Sequence, residues 1–211
     1  MNKKNIIISI ILITVSSLFT YLIKVIDVEE FEIGKIGFAT INEFVFNKTG
    51  VNMLYYHITD YLGIILVLIA FIYALIGLIQ LIKRKNILKV DREIIILGIF
   101  YLVLILIYIF FEKVIINYRP ILIDGIKEAS YPSSHTMLTI CLCGSSIMIN
   151  KKLYNNKLTN YMNTFSIIII LVVVILRLIS GVHWFSDILG GIIIASALLM
   201  SLYTVLTKKS D

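Results

Sequence analysis

Apolar residues in this chain come in long blocks separated by short polar intervals. Six blocks approach the roughly 20 apolar residues that a helix needs to cross a bilayer: Ile6 to Ile23, Tyr61 to Ile82, Ile94 to Phe111, Pro132 to Ile149, Phe165 to Ile179 and Ile188 to Leu206. The fourth is the least apolar, with Thr139, Ser145 and Ser146 inside it, and the fifth is short and carries Arg177 near its end. Polar groups at such positions are expensive in lipid and mark a site rather than an anchor. The expected fold is all-α, a polytopic membrane bundle of about six transmembrane helices. It forms one domain over residues 1–211, since no repeat, low-complexity tract or linker sets off a second unit.

The first block follows Lys3 and Lys4, but it is longer than a signal-peptide core and no small-x-small cleavage site follows, so it reads as a retained anchor. The interval from Lys24 to Asp60 is the longest connection. It mixes Phe31, Ile33, Ile36, Phe38, Phe44, Phe46 and Tyr55 with the acids Asp27, Glu29, Glu30 and Glu32. Either a short interfacial helix capping the bundle or an ordinary amphipathic loop suits that mixture, with the acids as a solvated rim.

Composition excludes a soluble globule: 59% of the 211 residues are hydrophobic and only 15% charged. The formal charge of +6 does not point to nucleic acid, because the basic residues sit in short clusters between apolar blocks. With the N-terminus in the cytoplasm, Lys3, Lys4, Lys83, Arg84, Lys85, Lys89, Arg92, Lys151, Lys152, Lys157, Lys208 and Lys209 all lie inside, twelve of the nineteen basic residues. Three of the others, Lys113, Arg119 and Arg177, are candidates for chemistry, which leaves four against twelve. Six spans then return the C-terminus to the cytoplasm. The abundance of Ile, Lys and Asn suggests a bacterial chain, hence the plasma membrane. Cys141 and Cys143 are two apart inside an apolar block, too close for a mutual disulfide and without further metal ligands, so they read as small core residues.

The outer ends of blocks three to six concentrate polar residues: Lys113, Arg119-Pro120, Tyr131-Pro132-Ser133-Ser134-His135, Arg177, His183 and Asp187. All fall near one membrane face. Guanidinium forks and hydroxyl donors suit a phosphate. Pro132 in the first turn of a helix would aim the amides of Ser133, Ser134 and His135 at an anion. His183 and Asp187 are four apart, so a helical turn would let the carboxylate orient the imidazole. Asp124, Lys127 and Glu128 read as a solvated loop face, with Lys127 a possible extra cation. Trp184, Tyr108 and Tyr118 read as an aromatic belt.

At this point the chain resembles the type 2 phosphatidic acid phosphatases, also called lipid phosphate phosphatases and related to vanadium haloperoxidases. The family signatures are K-x6-R-P, P-S-G-H and S-R-x5-H-x3-D. The matching stretches are Lys113-x5-Arg119-Pro120, Pro132-Ser133-Ser134-His135 and Leu176-Arg177-x5-His183-x3-Asp187, within about residues 94–206. Ser134 replaces the family glycine and Leu176 the serine. Lys113 is one position too close to Arg119, with Glu112 in the expected place, a slip that turns the side chain by about 100° on a helix.

The resemblance implies a phosphatase in which His183 attacks phosphorus to form a phosphohistidine, Asp187 orients it and His135 protonates the leaving group. Arg119, Arg177, Ser133, Ser134 and Lys113 would hold the phosphoryl oxygens. It implies no metal and no cofactor. The substrate class is a lipid phosphate or diphosphate (isoprenoid diphosphate such as undecaprenyl diphosphate, phosphatidic acid or phosphatidylglycerophosphate), met at the extracytoplasmic face. The alternatives are a head-group or phosphoryl transferase with the same site, and a non-catalytic lipid-phosphate binding or transport protein. No nucleic acid partner is expected, and the pattern carries no sign of oligomeric state.

Overall fold

The computed structural model describes residues 2–32 and 34–208; Ile33 of the first external interval and Lys209 of the C-terminal basic pair lie outside them. In chain order the elements are α1 (Lys3–Val25), the antiparallel hairpin β1 (Glu29–Phe31) and β2 (Gly34–Ile36), α2 (Ala39–Thr49), α3 (Met53–Arg84), a 3₁₀ turn (Ile87–Lys89), α4 (Arg92–Lys113), α5 (Ser134–Leu153), α6 (Lys157–Ile179) and α7 (Phe185–Leu206). The fold is all-α apart from the small hairpin.

The six long helices coincide with the six apolar blocks, and polar caps move their ends. α3 starts at Met53 rather than Tyr61 because the Asn52 side chain accepts from the amides of Leu54 and Tyr55. α6 starts at Lys157 rather than Phe165 because Asn156 and Thr159 form a reciprocal capping box. The fifth block is therefore not short: α6 has 23 residues, enough to span.

Among the described residues, α1, α3, α4, α6 and α7 are long and apolar enough to cross a membrane by themselves. α5 is not, and packing gives the reason. It touches α3, α4, α6 and α7, and buries Thr136, Thr139, Ser145, Ser146 and Asn150. Tyr73 donates to Asn150 Oδ1 at 2.8 Å, Asn150 donates to Asn163 at 3.0 Å, and the Tyr101 and Ser145 hydroxyls are 3.3 Å apart. Surrounded by protein, α5 finds partners for Ser145, Ser146 and Asn150 on its neighbours, which lipid would not supply. Cys141 and Cys143 are buried free thiols within the same packing.

The interval after α1 forms the capping helix, α2, together with a hairpin that the residue pattern did not announce. Buried Asn42 ties α2 to α7: it donates to Gly37 O at 2.8 Å and to Ser186 Oγ at 2.9 Å, and accepts from the Ser186 amide at 2.9 Å. Phe31 and Phe46 close over Trp184, with ring centroids 6.0 Å and 5.6 Å away. Trp184 is therefore buried beneath the cap rather than part of an aromatic belt, and its indole N–H donates to Tyr118 O at 2.7 Å.

The opposite end carries the basic clusters. Arg92 donates to the carbonyls of Val205 and Lys208 at the end of α7, and Lys152 pairs with Glu93 at 3.0 Å. The chain direction of the six long helices brings the ends of α1, α4 and α6 and the starts of α3, α5 and α7 to the other face, where all three signatures lie.

Candidate active site

Two close backbone approaches fix the frame of the site. Gly181, in the turn between α6 and α7, has φ +67°, and a Cβ there would sit 2.0 Å from Gly50 O. The Asn52 amide donates to Ser180 O at 2.9 Å across the same contact, so the start of α3 holds the turn that bears His183. On α7, a Cβ at Gly190 would lie 2.1 Å from the Tyr131 ring. That missing side chain lets the segment leading into α5 lie against α7, where the Ser133 amide donates to Asp187 O at 3.0 Å. The Tyr131 hydroxyl is 2.8 Å from that of Thr20, which ties α1 to the same segment.

His183 is buried, with 4% of its surface exposed. Its Nδ1 lies 3.1 Å from Ser130 O, and a carbonyl only accepts, so the proton is on Nδ1. Nε2 is left as a bare lone pair with no partner among the described residues. Burial first, then the positive charges of Arg119 and Arg177, hold the imidazole well below the ordinary histidine range, so it is neutral at physiological pH. This is the protonation state of a nucleophile.

Asp187 does not bond the imidazole directly. Its Oδ2 is 3.9 Å from His183 Nδ1, beyond hydrogen-bond reach. The Ser130 hydroxyl stands between them, donating to Asp187 Oδ2 and lying 3.2 Å from Nδ1. The carboxylate also accepts from the Trp184 amide at 2.8 Å and from Asn117 at 3.4 Å. Asp187 thus anchors Ser130, the start of α7 and the loop after α4 together.

The two arginines converge on one aromatic face. The Arg177 guanidinium lies 4.9 Å from the Tyr56 ring centroid and that of Arg119 lies 6.0 Å away. Arg177 is fully buried and its Nη2 pairs with Asp60, while its Nε and Nη1 have no partner in the chain. Arg119 Nε is 3.0 Å from Glu128, and its Nη1 is unpaired. Ser133 Oγ is likewise buried and unpaired. Such groups are costly alone, and an anion accepting from them would relieve that cost.

Ser133 is the N-cap of α5, so Pro132 precedes the cap instead of occupying the first turn. Ser134 opens the helix and lines a small polar cavity with Tyr108, Arg119, Ser130 and His183. The Ser133 amide is spent on Asp187 O, so the amides free of intrahelical partners at the start of α5 are those of the first turn proper. His135 Nε2 is 3.2 Å from Asp60 Oδ1 and its Nδ1 is unpaired.

Lys113 is not brought to this cluster. It ends α4 with an exposed side chain, while Glu112 lines the polar cavity in its place, as the one-residue slip requires. Lys127 does not substitute for it, because its Nζ sits 3.7 Å over the Tyr118 ring. Glu128 is not a purely solvated acid, since it pairs with Arg119. The residue pattern missed Ser130, Asn117, Tyr56 and Asp60. For Asp60 a signal existed: an acid at the edge of an apolar block. The other three are single polar residues whose contacts with His183, Asp187 and the two arginines span more than fifty positions.

Among the described residues, no group of three or more His, Cys, Asp or Glu side chains converges as a metal site. No curated protein matches the chain. Its backbone is similar to the crystal structure of a transmembrane PAP2-type phosphatidylglycerolphosphate phosphatase from Bacillus subtilis. The TM-score is 0.59 at 17% identity, covering 96% of this chain and 98% of that one. At that identity the likeness speaks for the fold, a transmembrane helical bundle. The sequence pattern of the PAP2 superfamily matches residues 94–211, which hold every signature residue described above, and the chain therefore belongs to the PAP2 superfamily.

Proposed function

We propose that this protein is a phosphatase that hydrolyses a lipid phosphate in two steps through a phosphohistidine. His183 Nε2 attacks phosphorus and the bond to the leaving oxygen breaks. His135 supplies the proton that the leaving oxygen takes up, and water then cleaves the N–P bond to release phosphate. Arg119, Arg177, Ser133 and the first amides of α5 bind the phosphoryl oxygens, whose charge grows in the transition state. Asp187 acts through Ser130 to hold the imidazole.

The observation that carries this reading is the set of buried unpaired polar atoms, His183 Nε2, Arg119 Nη1, Arg177 Nε and Nη1 and Ser133 Oγ, beside an apolar groove. The groove, about 560 Å³, lies between α3, α4 and α5, and is lined by Gly63, Leu66, Ala70, Leu104 and Leu138, with His135 at its polar end. A second hollow of about 470 Å³ shares Ala70, Ala74 and Tyr101 and extends it toward the basic end. An apolar channel ending at a phosphate clamp suits a lipid tail. The name of the Bacillus subtilis protein supports a glycerophospholipid such as phosphatidylglycerophosphate; phosphatidic acid and isoprenoid diphosphates fit the same groove and clamp. A transferase would use the same residues, with a lipid acceptor in place of water.

The basic residues at the far end of the helices support cytoplasmic termini and a site on the extracytoplasmic face of a bacterial plasma membrane. The test is phosphate release from a panel of lipid phosphates in detergent by wild type and His183→Ala. Release by the wild type that is lost in the variant is expected. Equal release by the two would sink the phosphohistidine mechanism, and tight binding without any release would favour the non-catalytic reading.

A further inference from the structure

Asp60 stands where the phosphate clamp meets the groove. Its Oδ1 pairs with Arg177 Nη2 on one side and lies 3.2 Å from His135 Nε2 on the other. One turn further along α3, a Cβ at Gly63 would meet the same His135 nitrogen at 3.6 Å, and Gly63 and His135 together form the polar end of the groove. A substrate with phosphorus at His183 and its tail in the groove must thread its leaving group past Asp60.

The other acids near the site are occupied away from this point. Glu128 pairs with Arg119, Glu112 lines the cavity on the Tyr108 side, and Asp187 lies beneath His183 among Ser130, Trp184 and Asn117. Cations are also absent from the groove lining, where His135 is the one titratable side chain besides Tyr101. Arg177 is already shared with Asp60, and neither Lys113 nor Lys127 reaches the clamp.

We infer that Asp60 makes this site select phosphate monoesters, whose leaving group is an uncharged alcohol, over diphosphates, whose leaving group is itself a phosphate. This rests on the hydrolase reading above. In monoester cleavage the P–O bond breaks and the leaving oxygen takes up the proton from His135, whose Nε2 lies 3.2 Å from Asp60 Oδ1. In diphosphate cleavage the leaving phosphate needs little help from a proton. It brings two further negative charges to a carboxylate already there, with no cation to offset them beyond Arg177, which Asp60 and the transferred phosphoryl group already share. A like-charge contact of this kind at a partly exposed site corresponds to roughly tenfold or more in rate.

The test compares farnesyl phosphate with farnesyl diphosphate in detergent, so that the tail is constant, for wild type, Asp60→Asn and Asp60→Glu. The wild type should show a higher kcat/KM on the monoester. Asp60→Asn should lower the monoester-to-diphosphate ratio by about tenfold, and Asp60→Glu, which keeps the charge, should retain it. A ratio taken within one variant cancels any loss of folded protein. Should Asp60→Asn prove inactive on both substrates, the wild-type preference and the Asp60→Glu ratio still decide. A wild type that prefers the diphosphate, or an Asp60→Asn ratio equal to that of the wild type, overturns the inference and leaves the hydrolase reading standing. No release from either substrate by the wild type overturns both.

Discussion

The Ser130 hydroxyl separates His183 from Asp187: it donates to the carboxylate and lies 3.2 Å from the imidazole Nδ1, while the histidine and aspartate side chains stay 3.9 Å apart. The His183 imidazole is therefore oriented from a third element, the loop between α4 and α5. Ser130→Ala should lower kcat by roughly 10 to 100-fold, the worth of a hydrogen bond to a charged group, with KM little changed. Ser130→Thr should recover most of the loss. Steady-state kinetics on a lipid phosphate check this, and a full-rate alanine variant would mean that Asp187 acts without Ser130.

The acid limb of activity should lie below the ordinary histidine range. Burial and two guanidinium charges lower the His183 pKa, so the reactive neutral form persists as pH falls and is lost only when the lowered value is reached. Removing one of those charges must raise it. Arg119→Gln should weaken kcat/KM at every pH and also move the acid limb of the residual activity to higher pH. A profile of unaltered shape would show that Arg119 does not act on His183.

Activity should persist in EDTA, because the buried unpaired donors of the site are guanidinium and hydroxyl groups and no carboxylate set converges among the described residues. Phosphate release after exhaustive chelation, with and without restored Mg²⁺, is the measurement. A strict requirement for added metal would replace the arginine clamp as the main electrophile.

Sidedness follows from the separation of the signatures from the basic clusters. In a background with Cys141 and Cys143 replaced by alanine, Ile126→Cys, in the exposed loop between α4 and α5, should react with a membrane-impermeant thiol reagent on intact cells. Leu88→Cys, in the exposed turn before α4, should react only after permeabilisation. The reverse pattern would put the site on the cytoplasmic face. Ile126 is preferable to its neighbour Gly125, whose φ of +75° strains any side chain.

The long helices were legible because a membrane forces apolar residues into continuous runs, and the run lengths survive in the sequence. Their ends were not, since Asn52 and Asn156 look like loop residues until their side chains are seen capping α3 and α6. His183, Asp187 and Arg177 were legible because one helical turn and a short connection fix their mutual spacing. So was the displacement of Lys113, a matter of helix geometry alone. Ser130, Asn117 and Asp60 work through partners on other elements, and a residue acting at such range leaves no local period. The spacing also implied a direct contact between His183 and Asp187, where the fold inserts a hydroxyl.

α5 carries Ser133, Ser134 and His135 at its start, yet it is the one long helix too polar to count as a span by composition. The partners that Ser145, Ser146 and Asn150 find outside α5 lie on α3, α4 and α6, and α6 is made after it. The order of synthesis then matters for biogenesis. α5 gains a favourable place in the bilayer only once α6 and α7 have been delivered beside it, so its insertion is cooperative with theirs. A ribosome stalled before α7 would leave His183 without the helix that carries Asp187, and a weakly held α5. Catalytic competence and secure membrane integration would arrive together, on completion of the last helix.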